Sequence, residues 1–173
     1  KYGRDVTVIR PGELNAVAVG VNPLVPLPGE TLTQTKERVI RTVKNAFAAG
    51  SDGPESARAT EQYVREALFG YYEDKGWDTN LGEKTTFGTP AYPTMAELVP
   101  KVKQVAAAHG YEGEGKNLIE FLGSRLNGII TGAGGEFFSG VPLDPQKLRD
   151  GVTIIKLDAV QDPLARSLIM TTL

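Results

Sequence analysis

The run Gly151-Val152-Thr153-Ile154-Ile155-Lys156-Leu157-Asp158-Ala159-Val160 limits the possible folds more than any other stretch of the chain. Its near-continuous apolar, β-branched character is that of a strand buried between helices on both faces, as in parallel sheets. The other strand candidates lie at the opposite end. Asp5-Val6-Thr7-Val8-Ile9-Arg10 alternates with period two and stops at Pro11-Gly12, and Ala16-Val17-Ala18-Val19-Gly20-Val21 is ended by Asn22-Pro23. A small sheet from strands near 5–10, 16–21 and 152–158 is expected, with helices between, so the fold class is mainly α with a small β-sheet.

The intervening sequence reads as helices with local start and stop signals. Pro23, Pro26, Pro28 and Gly29 first make an extended loop, either a rigid connector or a proline segment for a partner. Thr31 and Gln34 form a capping-box pattern before Leu32, Val39, Ile40, Val43 and Phe47, which recur at helical spacing up to Gly50. Ser51-Asp52-Gly53-Pro54 breaks that helix. The next presents Ala57, Val64, Ala67, Leu68 and Tyr71 on one face, pairs Glu61 with Arg65, and ends at Gly76; the two helices should pack antiparallel. Residues 77 to 92 are a polar loop in which Trp77 is expected against the preceding helix. Thr94 and Glu97 make a second capping-box pattern, Pro100 predicts a kink, and this helix should end before Gly110. Leu118, Ile119, Leu122, Leu126, Ile129 and Ile130 form the most regular stripe, interrupted by Gly123 where another helix would come close. Gly132 to Gly135 reads as a loop. Asp144-Pro145 and Asp162-Pro163 each place a capping acid before a first-turn proline, predicting a short helix through Leu148 and a final helix.

Composition narrows the functional classes. At 173 residues the chain buries roughly 70% of the surface of its unfolded form. The absence of cysteine excludes disulfides, thiol catalysis and thiolate metal sites. A net charge of -2, without a basic arm, argues against non-specific nucleic-acid binding by this piece. No apolar run approaches the ~20 residues of a membrane-spanning helix, and a cytoplasmic setting is expected. The chain enters a strand-like segment just after Lys1 and stops within an amphipathic run at Leu173, so a segment of a longer protein is expected.

Each candidate for chemistry has a structural counterpart. Gly132-Ala133-Gly134-Gly135-Glu136 is the one glycine-rich run resembling a phosphate loop, but Glu136-Phe137-Phe138 follows where a lysine and a hydroxyl are required; a helix-ending turn fits better. Asp158 falls where ligands of parallel sheets collect, the carboxyl ends of strands. It invites comparison with the acid-tipped strand that holds Mg²⁺ beside a phosphate loop, yet a hydrogen-bonded turn explains it better, and Lys156 within the strand would compete with an ion. Asp162 is a helix cap. His109, the only histidine, sits in the last turn of a helix, where a cation is favoured. A hydrolytic partner for it at Ser124 or Ser139 has no supporting context. Tyr63, Tyr71, Tyr72, Tyr92 and Tyr111 would stack on bases in a single-strand groove, but their helical spacing points to core packing.

Several local patterns together carry a resemblance. Val21-Asn22-Pro23-Leu24 with its Pro-Gly loop, Leu68-Phe69-Gly70-Tyr71-Tyr72-Glu73-Asp74-Lys75-Gly76-Trp77-Asp78, and Tyr92-Pro93-Thr94-Met95-Ala96-Glu97-Leu98 resemble the middle of HerA/FtsK-type ATPases, a group that includes type IV secretion ATPases. Ser124-Arg125-Leu126-Asn127-Gly128-Ile129-Ile130-Thr131-Gly132 and Thr153 through Val160 are similar to the continuation of that family. The resemblance implies a P-loop ATPase core divided as 1–30, strand-rich; 31–150, a helical insertion; and 151–173, a core strand and helix. It further implies a parent that is an ATP- and Mg²⁺-dependent motor, commonly hexameric, moving DNA or protein. The family's phosphate loop lies upstream of this region and its metal-binding acid and arginine finger downstream. No catalytic, cofactor-binding or metal residue therefore carries over, and the chain alone is expected to be inactive. The competing readings are a stand-alone helical interaction module and, more remotely, a small hydrolase using Asp158 or His109.

Overall fold

Hydrogen bonds between neighbours in sequence set most helix boundaries. The computed structural model describes residues 6–11, 19–48, 53–82, 91–109, 114–139, 141–142 and 151–172. At the start of α1 (Leu32–Ala48) the Thr31 hydroxyl accepts the Gln34 N–H at 3.2 Å, while the Gln34 side-chain carbonyl accepts the Thr31 N–H at 2.8 Å. This is the reciprocal capping box expected there. Helix α2 (Gly53–Asp74) carries Pro54 in its first turn. It ends in a Schellman turn: Gly76 takes φ +87°, its N–H reaches Glu73 O at 2.9 Å, and the Trp77 N–H reaches Tyr72 O at 3.0 Å.

Helix α3 (Met95–Ala108) departs from expectation at its start. The Thr94 hydroxyl donates to the Glu97 carboxylate at 2.7 Å and caps no backbone N–H, so the second capping box is not formed. A charge-assisted bond to an ionised carboxylate outcompetes a neutral bond to an amide. The helix continues through Pro100 as one element. Ala96 and Pro100 are both exposed, so the carbonyl that loses its donor lies on the solvent side.

Helix α4 (Glu114–Ile130) runs into α5 (Gly132–Ser139) across Thr131. The expected loop at Gly132 to Gly135 is thus a helix, and Gly134 and Gly135 serve its packing. A Cβ on Gly134 would stand 2.8 Å from Ala165 Cβ and 3.2 Å from Ile129 O, and one on Gly135 would run into the backbone of Ile130. Gly123 lies beneath the Lys103 side chain of α3, the close approach its place in the stripe predicts. The last helix, α6 (Pro163–Thr172), is capped by Asp162, whose Oδ1 accepts the Ala165 N–H at 2.7 Å.

The strands form two parallel ladders among the described residues, where one sheet was expected. Strand β1 (Val6–Ile9) pairs with β4 (Val152–Ile155) in the register Val6↔Val152 to Ile9↔Ile155. Strand β2 (Val19–Gly20) pairs with β3 (Val141–Pro142), and the Val21 N–H continues that contact to Phe137 O at 2.9 Å. Asn22-Pro23 ends β2, and Pro142 supplies no donor for β3, which keeps this ladder short. Strand β4 stops at Ile155, short of the expected 158. The anticipated helix from Asp144-Pro145 to Leu148, residues 16–18, residues 83–90 of the polar loop, and Tyr111 lie outside the described residues.

Neighbouring helices pack in sequence order from α1 to α5, and α6 closes back onto α1. Salt bridges show that α1 and α2 are antiparallel: Glu37 meets Arg65, whereas Lys44, later in α1, meets Glu61, earlier in α2. Their apolar sides belong to one cluster extending from Ile9 through Leu68, Val102 and Leu126 to Ile169. The molecule is mainly helical with a small parallel β component. No helix among the described residues is long and apolar enough to cross a membrane.

Candidate functional site

The carboxyl end of the β1–β4 ladder is where a parallel sheet would offer a ligand site. There β4 gives way to a turn in which the Val160 N–H reaches Leu157 O at 3.1 Å and Gln161 Nε2 donates to Asp158 O at 3.5 Å. Asp158 is exposed on this turn, beyond the strand. Lys156, placed within the strand by sequence, follows it and is also exposed. Asp162 is occupied by capping, and its Oδ2 lies 2.9 Å from where a Cβ on Gly128 would project, so the cap uses the space that glycine leaves. Among the described residues no three His, Asp or Glu side chains gather as a metal site.

The remaining candidates are dispersed. His109 follows α3 as its C-cap residue, with Nε2 2.8 Å from Glu66 Oε2 on α2 and its ring 5.5 Å from that of Tyr63. That bond holds the Glu66 carboxyl below its ordinary range. Ser124 is exposed on α4, and Ser139 ends α5. Tyr63, Tyr71 and Tyr72 are buried, in keeping with core packing. Tyr92 stacks on Trp77 at 4.8 Å, and Trp77 Nε1 donates to Ala91 O at 3.2 Å, so the two rings fasten the ends of the 77–92 loop together.

Two buried cations on α1 stand apart from the sequence expectations: Lys36 falls within the apolar stripe, between Leu32 and Ile40, and Arg38 falls opposite it. Lys36 is 1% exposed; its ammonium donates to Thr79 O at 2.8 Å and lies 3.7 Å from the centroid of the Phe69 ring. Burial lowers its pKa, against the opposing pull of Glu37, Glu73 and Asp78. Arg38 forks onto Glu30, with Nε to Oε1 and Nη2 to Oε2 both at 3.0 Å, and Nη2 also reaches Pro23 O at 3.2 Å. Burial opposes the charge on Glu30, but bonds from Arg38, the Leu27 N–H and Thr35 outweigh it and lower that carboxyl's pKa.

These contacts settle the character of the proline loop. The Tyr72 hydroxyl donates to Leu24 O, Asn22 Oδ1 accepts the Leu24 N–H at 3.0 Å, and Asn22 Nδ2 donates to Pro93 O at 2.7 Å. Leu24 itself is wholly buried. The loop is a rigid connector whose carbonyls are taken up inside the molecule. Lys36 and Arg38 therefore fasten loops to the α1–α2 pair and assemble no reactive group with Asp158, His109 or the α5 glycines. Comparison of the chain with protein-family models, with curated proteins and with solved structures finds no match.

Proposed function

We propose that the chain is the central, helix-bearing segment of an ATP-driven motor of the HerA/FtsK kind. One observation carries this reading. Strands β1 and β4 pair in parallel although α1 to α5 lie between them. Parallel neighbours require a crossover, and here the crossover is a long helical body that packs into one core with β1 and α6, which is compatible with an insertion between strands of a motor sheet. In this reading the parent holds ATP at an upstream phosphate loop and Mg²⁺ with a downstream acid, and it works as a hexamer on DNA or a protein substrate. The helical body then meets substrate or a neighbouring subunit, and the 173-residue chain hydrolyses no ATP by itself.

Sequencing the parent gene on both sides of the segment tests the proposal. A GK[ST]-type loop upstream and an acid-tipped strand downstream are the expected result; a start codon just before Lys1 overturns it. Titrating the purified chain with Mg-ATP should give no binding at micromolar concentration. Binding there would contradict the reading directly, because the glycine-rich run offers no lysine for the phosphates.

A further inference from the structure

Lys36 occupies a place in the apolar stripe of α1 where an apolar side chain would be the ordinary choice. Its ammonium is withdrawn from water, and its close contacts are one neutral acceptor, Thr79 O at 2.8 Å, and the face of the Phe69 ring at 3.7 Å. The charged groups around it are Glu37 on α1, Arg65 and Glu73 on α2, and Asp78 in the turn that follows α2. Each of the three acids is engaged elsewhere. Glu37 is bonded by Arg65, Glu73 accepts the Thr79 hydroxyl at 2.7 Å, and Asp78 Oδ1 accepts the N–H groups of Asn80 and Leu81 at 2.8 and 2.9 Å. They offset the buried charge from a distance, and burial remains the largest influence on the amine, lowering its pKa.

What the charge secures is the turn at residues 78–82. Asp78 closes that turn through Asn80 and Leu81, and the Gly82 N–H returns to Asp78 O at 2.8 Å with Gly82 at φ +71°. These bonds lie within the turn and fix only its shape. Thr79 fixes its place, through its hydroxyl to Glu73 of α2 and its carbonyl to Lys36 of α1. Held in this way, the turn carries Leu81 into solvent at 71% exposure. Replacing a buried charge by an apolar side chain of similar volume is often neutral or stabilising. Here the replacement would leave the Thr79 carbonyl to find water, which requires the turn to move outward.

We propose that Lys36 is a proton-dependent latch on the 78–82 turn: charged, it holds the turn against α1, and neutral, it lets the turn lift from the helices. The latch goes beyond the motor reading and needs nothing of it. A neutral amine keeps a hydrogen to donate but loses its attraction to the ring and the charge assistance of the bond to Thr79. With a folded-state pKa below the unfolded value of about 10.4, the folded chain gives up this proton first as pH rises. The contribution of Lys36 to global stability therefore increases between the two values while its hold on the turn weakens. An ordinary stabilising contact would move both in the same direction.

Lys36→Met in the 173-residue chain removes the charge and keeps an unbranched side chain. Near about pH 7, the Leu81 and Gly82 amides should exchange with solvent about fivefold faster by NMR, the effect of losing one contact between a cation and a ring. The urea midpoint should stay at or above that of the wild type. Trp77, the only tryptophan, lies just before the turn and is buried, so it reports release. Its quenching by acrylamide should increase in the wild type from about pH 7 toward about pH 10; in the variant it should be raised at the start and change little. Unaltered amide exchange in the variant overturns the latch. So does a lowered urea midpoint, which would make Lys36 a plain stabilising contact. A flat quenching profile in the wild type, or the same rise in both proteins, overturns it as well, since the proton on Lys36 would then not control the turn.

Discussion

The proline loop before α1 and the β1–β4 ladder handle the same problem in opposite ways. In the loop, backbone carbonyls that no regular structure can satisfy are taken by Arg38 and Tyr72, and Leu24 is fully buried. In the ladder, strand pairing satisfies only the facing edges of the two strands, and Val6, Val8, Val152 and Ile154 stand in water. The first region buries its apolar anchor and draws its carbonyls into the molecule, whereas the second leaves apolar side chains unburied, so the two should respond to mutation very differently.

The sharpest test of that difference is Arg38→Ala, which leaves the part-buried Glu30 carboxylate beside the loop without its cation. A loss of about 2–4 kcal/mol, between the exposed and the fully buried case, is expected, read as a lowered urea midpoint; a loss below about 1 kcal/mol would mean that the loop is not held by this pair. Tyr72→Phe keeps the ring and removes the donor to Leu24 O, with an expected cost of about 1–3 kcal/mol in the same assay. Gly134→Ala probes the α4–α5 corner. The added methyl collides with Ala165 and with the Ile129 carbonyl, and about 1–3 kcal/mol should be lost.

Acid should act on the helical side of the molecule. Glu30, Glu37, Glu61, Glu66 and Glu97 all have carboxyl pKa values below the ordinary range, and Glu97 is lowered to about 2, with the Tyr71 hydroxyl as the largest cause, joined by Thr94 and Lys75. A depressed folded-state pKa means that the unfolded chain binds protons first as pH falls. The stabilisation is therefore complete above the unfolded value of about 4.3 and is lost as pH drops through the folded values. Melting temperature should be level near neutrality and fall between about pH 4 and 2, and Glu97→Gln should make that fall shallower. At the small end, Val8→Thr or Ile154→Thr in this chain should change stability by no more than about 0.5 kcal/mol. A larger loss would show that the outer face of the ladder is already packed.

Legibility followed the range of the interaction. Thr31 with Gln34, Gly76 after α2, and Asp162 before α6 were readable because each partner lies within a few residues. Thr94 and Glu97 have the same spacing and form a different bond, since Lys75 brings distant chemistry to the same carboxylate. The glycine run of α5 reads as a loop in sequence because the steric neighbour that Gly134 accommodates, Ala165, is remote in sequence. The place of Lys36 between Leu32 and Ile40 on the apolar face signals its burial, but nothing adjacent reveals that Thr79 and Phe69 receive its ammonium or that Pro23 closes over Arg38.

The sequence by itself determined a mainly helical chain with apolar strands near both ends, because periodicity and capping are local properties of the backbone. It also marked Asp158 as a residue to examine. Only the tertiary structure decided that Asp158 stands on an exposed turn, that the strands form two ladders, and that one ladder keeps an uncovered apolar face. Each of these depends on which distant segments meet, and the free energy of such meetings comes from packing and desolvation that no single stretch of sequence contains.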